Sequence, residues 1–268
     1  MRLLFSLREI ADNRLSINYN HALMSSIYKL LKFGSPEFSE FLHNTGFKVN
    51  GQSFKLFTYS LKLEDAHLFN NSLSLQSPYA KLYISSPLTE SFLKNILIGS
   101  FENQVIEIFS ENIKTVFAIK NVELLPEENF SGKNYFKLAS PLVLSKRILF
   151  NGADSKYYFR VEDNIDEINK FLNNNLIRKY EAINNDVYNN GGVKLTWDKD
   201  YILSARKAHK RLSKKISIFK DINNPVEVIG MYCPFYLEGD EQLIKVGYDC
   251  GFGENNSLGF GLAFKEKR

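Results

Sequence analysis

The chain is poor in the residues that build metal sites and disulfides. Its 268 residues include two cysteines, Cys233 and Cys250, and four histidines, His21, His43, His67 and His209. The cysteines are far apart and give neither a zinc spacing nor a disulfide framework. No two histidines form an H-x-x-x-H or similar ligand pair, so neither a metal enzyme nor any cofactor is expected. Long apolar runs are also missing. Stretches such as Ile148-Leu149-Phe150 are far too short to cross a membrane. The opening residues, Met1 to Glu9, carry charge at Arg2 and Arg8 and no small-residue cleavage site, so they read as a strand and not as a secretion signal. A reducing cytoplasm and no membrane partner are the expectations that follow.

Charge of one sign is not in large excess either. Thirty-four Lys and Arg stand against 30 Asp and Glu, a net +4, which favours a polyanionic partner only weakly. The distribution is less even. Arg206, Lys207, Lys210, Arg211, Lys214 and Lys215 fall within ten residues, with His209 among them. A solvated surface is the plainer reading of such a run, but a phosphate backbone would select the same density of cations. Apolar residues, at 44%, are plentiful enough for a buried core and exclude a disordered chain. The length allows one large domain or two modest ones.

Patterning along the chain favours two. Arg2 to Arg8 alternates as a strand. Leu23, Ile27, Leu30 and Leu31 recur at helical spacing, predicting a helix over residues 21–33, and Glu37 to His43 forms a further helical turn behind Gly34-Ser35-Pro36. Strands are expected over 55–61 and 80–86, a helix from Ser86 to about Ile98, and β structure over 104–109 and 114–125. The order strand, helix, strand, strand, helix, strand is that of a ferredoxin-like βαββαβ unit. Residues 126–134 are polar and breaker-rich, a linker. The pattern then restarts: strands near 135–139 and 142–144, a helix over 165–184, strands over 193–197, 215–219 and 226–237, a helix over 240–248 and a last strand over 259–264. The expected fold is α+β, two tandem ferredoxin-like domains, residues 1–125 and 126–268.

Glycine is sparse, yet four of the 15 crowd into Gly251-Phe252-Gly253-Glu254-Asn255-Asn256-Ser257-Leu258-Gly259-Phe260-Gly261. The spacing matches neither a Walker loop nor a dinucleotide fingerprint. A tight turn is the plainer reading. Four glycines bracketing two phenylalanines ask for more: close backbone approach, and N–H groups turned toward a phosphate. Phe252 and Phe260 are expected to pack the two domains together.

This loop, the preceding Lys245-Val246-Gly247-Tyr248, the Tyr19-Asn20-His21 segment leading to Ile27-Tyr28, and Phe41-Leu42-His43 ahead of Lys55-Leu56-Phe57-Thr58-Tyr59-Ser60 span the chain. Together they resemble the CRISPR-associated repeat-processing endoribonucleases of the RAMP superfamily. The resemblance implies a metal-independent cut of CRISPR repeat RNA (pre-crRNA) by its own 2′-hydroxyl, leaving a 2′,3′-cyclic phosphate and a 5′-hydroxyl. It places catalysis on Tyr28, His43 and Lys55 in the first domain, with the tyrosine as proton acceptor, the histidine as donor and the lysine beside the phosphorane. Taken alone, Tyr28 is a helical tyrosine at the edge of a core, and its reference pKa of ~10 makes it a poor base unless Lys55 lowers it. His43, with a reference pKa of ~6.5, could give or take the proton, and the sequence does not choose. His21 is the competing histidine. For RNA binding the expectation names Arg206, Lys207, Lys210, Arg211, Lys214 and Lys215, Ser140 with the nearby Lys146-Arg147, and the loop glycines Gly251, Gly253, Gly259 and Gly261. Partners beyond the RNA, a multi-subunit interference complex or a second copy in a homodimer, stay open. Two alternatives remain: a non-catalytic subunit of the same superfamily that holds crRNA, and an unrelated enzyme of small phosphorylated metabolites that uses the glycine loop.

Overall fold

The computed structural model describes residues 1–150, 152–219 and 225–267. The strand Arg2–Ala11 buries Leu3, Phe5 and Leu7 on one face, the period-2 placement that its alternation dictates. It lies at the heart of a five-stranded antiparallel sheet. Tyr79–Ser85 and then Thr58–Leu63 lie to one side, Ile113–Leu125 and then Val105–Ser110 to the other. Helices α1 (Asn20–Gly34) and α3 (Lys94–Glu102) join these strands. The stripe Leu23, Ile27, Leu30 and Leu31 of α1 is buried in the same core. A short helix α2 (Pro36–Asn44) follows α1 directly. Ser35 caps it, its Oγ accepting from the Phe38 amide, and Pro36 sits at the first turn where its missing N–H costs nothing.

The second sheet repeats the plan. Asn134–Leu138 lies between Phe235–Gly239 and Ala263–Glu266, with Val193–Trp197 outside Phe235–Gly239. Helix α4 (Ile165–Asn184) follows the first strand of this sheet. Asn164 caps it, its Oδ1 accepting from the amides of Asp166 and Glu167. Helices α5 (Lys199–Lys207) and α6 (Glu241–Cys250) complete the set. In both sheets the second, third, first and fourth strands of a βαββαβ unit lie side by side in that order. The chain is thus two tandem ferredoxin-like domains, the first with an added edge strand.

Several expected elements end elsewhere, for local reasons. The strand expected over 226–237 breaks at Tyr232-Cys233-Pro234. Val226–Met231 pairs with Ser213–Ile218 in a separate ribbon, and Phe235–Gly239 joins the sheet; Pro234 has no N–H for a ladder. The last strand starts at Ala263 and not at 259, because Gly259 and Gly261 take φ of +78° and +76°. The strand expected from Lys55 starts at Thr58, behind Leu56 at φ +54°. The helix expected from Ser86 opens as a π turn at Thr89–Leu93 and continues as α3. Helix α5, capped by Asp198 Oδ1 accepting from the Tyr201 amide, had no counterpart in the sequence reading, nor had the small sheet of Arg14–Ser16, Ala66–Phe69 and Ser72–Leu75.

Two features lock the domains against each other. The Arg2 guanidinium is buried, donates to the carbonyls of Tyr248 and Ala263 at 3.0 Å each, and lies over the rings of Tyr248 and Phe264. The short hairpin Phe47–Val49/Gln52–Phe54 leaves the first domain and buries Phe54 and Leu56 in the second domain's core.

Candidate active site between the domains

That hairpin positions the first of the expected site residues. Phe54 and Leu56 point into the second core, so Lys55 between them faces the other way, into a cleft of about 640 Å³. Its Nζ donates to the main-chain carbonyl of His43 at 2.8 Å. Partial burial lowers the pKa of its ammonium. His43 is exposed in the last turn of α2, with Nδ1 2.9 Å from Asn44 Oδ1. Its ring meets that of Tyr28 edge-on, with centroids 5.4 Å apart. Tyr28 also packs edge-on against Phe57, and Ser39 of α2 donates to its carbonyl at 3.3 Å, which holds α2 against α1. The structure therefore brings Tyr28, His43 and Lys55 together, with His21 and Met24 from the same face of α1.

Burial of Tyr28 pushes its phenol well above the usual tyrosine range. Desolvation disfavours phenolate, so in this environment Lys55 does not turn the tyrosine into a ready base.

The opposite wall is the glycine loop. Gly253 to Leu258 line the same cleft, and the loop is tied to both domains. Asn20 Nδ2 donates to the Leu258 carbonyl at 2.7 Å and Thr58 Oγ1 to the Phe260 carbonyl at 2.9 Å. At Gly259 the backbone is left-handed, and a Cβ there would lie 2.6 Å from the Tyr59 ring; only glycine lets the loop come this close. All four loop glycines are buried. The amides of Gly259 and Gly261 donate to the carbonyls of Asn256 and Pro141, so these two N–H groups face protein acceptors and not solvent. Phe252 is buried in the second domain's core and Phe260 in a cluster with Val143, Ile216, Ile218 and Val228. Both rings therefore pack within the second domain, and the loop's carbonyls accept the hydrogen bonds from the first domain.

Three cleft groups were not singled out from the sequence. Lys179, fully buried on α4, donates to the carbonyls of Gly251 and Gly253 at 2.7 and 2.6 Å and to Asn256 Oδ1 at 2.7 Å. Desolvation lowers its pKa to about 8. Asn175, one turn earlier, lines the cleft beside it. Glu254 accepts from the Ser145 amide and hydroxyl and pairs with Lys156 at 3.3 Å. A signal for the first two was available. Both lie on the stripe of Ile168, Leu172 and Leu176, where a lysine is out of place unless it is fully hydrogen-bonded.

The remaining expected RNA contacts lie apart from this cleft. Arg206 and Lys207 end α5, Lys210 and Arg211 follow in an exposed turn, and Lys215 pairs with Glu227 at 2.6 Å on the ribbon. Lys214 differs from its neighbours. It reaches a second cleft of about 500 Å³ on the other side of the glycine loop, where Ser140, Lys62, Tyr83 and Tyr232 also lie. The Lys214 pKa is lowered by desolvation at the cleft wall. The buried Ser140 Oγ accepts from the Leu262 amide. Lys146 pairs with Glu167 at 2.7 Å. Both cysteines are buried and free, with thiols pushed up to about 12. Among the described residues no three His, Cys, Asp or Glu side chains converge, and no helix is long and apolar enough to cross a membrane.

Known proteins are similar to this chain in sequence and fold. The family descriptions "CRISPR-associated protein Cas6, N-terminal" and "CRISPR associated protein Cas6, C-terminal" match residues 14–123 and 125–263. The chain is 31% identical over 256 residues to CRISPR-associated endoribonuclease Cas6 1 of Methanocaldococcus jannaschii, covering 94% of this chain and 88% of that protein. It is 27% identical over 264 residues to the CRISPR-associated endoribonuclease Cas6 of Pyrococcus furiosus, covering 95% and 85%. A solved CRISPR associated protein Cas6 superposes with a TM-score of 0.74 at 26% identity, over 100% of this chain and 99% of the other. The structure of a Cas6-related protein from Pyrococcus furiosus gives 0.80 at 20% identity, over 100% and 98%, a likeness of fold alone. With one family description covering residues 125–263 and a relative 31% identical over nearly its whole length, the chain belongs to the CRISPR-associated Cas6 family.

Proposed function

We propose that this protein is an endoribonuclease that cuts CRISPR repeat RNA without a metal ion. The observation that carries this is the convergence of Tyr28, His43 and Lys55 on one cleft walled by the glycine loop. In this reading the 2′-oxygen beside the scissile phosphate attacks phosphorus while its proton passes to His43. The P–O5′ bond breaks, and the departing 5′-oxygen takes a proton from Tyr28, whose burial keeps the phenol protonated. Lys55 stands by the phosphorane as a point charge. The products are a 2′,3′-cyclic phosphate and a 5′-hydroxyl. Burial of Tyr28 favours this assignment over one in which the tyrosine is the base.

The RNA's flanking nucleotides are assigned to the second cleft and the exposed cations. Lys214 and Ser140 offer donors between the two sheets, with Tyr83 and Tyr232 as stacking faces. Arg206, Lys207, Lys210 and Arg211 meet phosphates outside it. Of the loop glycines, Gly253 lines the catalytic cleft and Gly259 the second one. Their part in binding is to shape the walls, together with Gly251 and Gly261.

The test is cleavage of end-labelled repeat RNA from the protein's own locus, in EDTA, by wild-type protein and H43A. One cut per repeat with a cyclic phosphate end, lost in H43A while binding persists, is the expected result. A reaction that needs magnesium, or H43A cutting at the wild-type rate, would overturn the proposal. RNA binding with no cut by either protein would leave a crRNA-holding subunit.

A further inference from the structure

Helix α4 turns a polar pair into the catalytic cleft from a face that is otherwise apolar. Ile168, Leu172 and Leu176 on this face are fully buried, and Asn175 and Lys179, four residues apart, line the cleft beside them. Each of the three Lys179 ammonium hydrogens has an acceptor. Asn175 is in a different position. The residue is 8% exposed, and its Oδ1 is closed off from solvent without a hydrogen-bond partner among the described residues. A leucine would pack here at no polar cost, whereas an unpaired buried carboxamide oxygen is destabilising. Such a group calls for a specific explanation.

The chemistry of the group indicates one. A carboxamide presents a donor and an acceptor side by side, the pattern that pairs bidentately with adenine through its 6-amino group and a ring nitrogen. Its terminal torsion is soft, so the amide can turn toward an entering base while the helix stays in place. Met24 and Leu258, both half-buried, line the same cleft and supply apolar surface for a base. The volume of about 640 Å³ lies in the range of small-molecule sites. Lys179 holds Gly251, Gly253 and Asn256, so the loop forms a fixed opposite wall.

We propose that Asn175 is a specificity residue that receives an adenine next to the scissile phosphate, its Oδ1 accepting from the 6-amino group and its Nδ2 donating to a ring nitrogen. This rests on reading the cleft as the site of RNA cleavage. Asn175 touches the base and not the reacting atoms.

The experiment uses repeat oligoribonucleotides carrying adenosine, purine riboside (which lacks the 6-amino group), cytidine, guanosine or uridine at either nucleotide flanking the cut. Single-turnover kcat/KM is measured for wild type, N175A and N175L. Wild type is expected to prefer adenosine over purine riboside at one position by roughly ten- to a hundredfold, the range of one bidentate amide–base pair. N175A should cut both at the same reduced rate. N175L, close in volume and without either the acceptor or the donor, should likewise lose the preference, and it carries the test if N175A fails to fold. An adenine preference that survives intact in either variant overturns the proposal, as does a wild type that cuts all five RNAs alike. A wild type that cuts none of them overturns the cleavage reading, and this proposal with it.

Discussion

Replacing Lys179 by methionine keeps most of the buried volume and removes a cation that ties α4 to the glycine loop. Three acceptors, the carbonyls of Gly251 and Gly253 and Asn256 Oδ1, lose their donor. Hydrogen bonds from a charged group contribute ~1.5–3 kcal/mol each. Against this, the variant escapes the desolvation that lowers the lysine to about 8 from an ordinary 10.5, a cost of ~3 kcal/mol. The net expectation near pH 7 is a loss of ~2–6 kcal/mol, visible as a lower midpoint in equilibrium urea unfolding. The pH dependence is the sharper part. Between pH 8 and 10.5 the unfolded chain holds a proton that the folded protein has released, so the wild-type penalty is relieved as pH climbs and stability rises with pH across this window. The methionine variant has no such group, while the other alkaline titrations are common to both proteins. The stability gap should therefore widen, by ~1 kcal/mol from pH 7 to 9 and by ~2–3 kcal/mol by pH 10. A gap that narrows over that range would refute the reasoning. It would mean that the three carbonyl-type acceptors outweigh burial and hold the ammonium above 10.5.

Tyr28→Phe keeps the ring contacts with His43 and Phe57 and loses only the hydroxyl. Its unfolding midpoint should stay near wild type while single-turnover cleavage falls roughly a hundredfold; unchanged cleavage would remove Tyr28 from the chemistry. Because burial lowers the pKa of Lys55, its charge is lost at a lower pH than that of an ordinary lysine, and cleavage should decline on the alkaline side ahead of ~10.4. Lys55→Arg keeps its charge there, so a pH–rate profile with the same alkaline limb in both proteins would contradict the assignment. Gly259→Ala places a Cβ 2.6 Å from the Tyr59 ring at φ +78° and should cost about 1–3 kcal/mol in urea unfolding. Wild-type stability in that variant would show that the loop does not need its close approach to Tyr59.

Much of the fold was legible because its periodicities are local. The alternation of Leu3, Phe5 and Leu7, the stripe of α1 and the full span of α4 follow from side-chain spacing alone. Helix α5 was hidden because its basic end reads as a charged surface, and the ribbon was merged with a sheet strand because both are β-rich on either side of Pro234. Among the site residues, Tyr28, His43 and Lys55 were named from family-like motifs. Nothing in their spacing, 15 and 12 residues apart, says that they meet.

Which residues would be buried, which would turn and where four glycines would gather was written in the sequence, since these depend on the size, polarity and φ preference of each residue and its near neighbours. The three-dimensional packing alone decided that Lys55 faces a cleft because Phe54 and Leu56 are drawn into the other domain's core. The same packing surrounds Lys179 with carbonyl oxygens and leaves Asn175 Oδ1 without a hydrogen-bond partner among the described residues. The reason is physical: desolvation and hydrogen-bond satisfaction are set by atoms distant in sequence, and they take values only once the two domains close on each other.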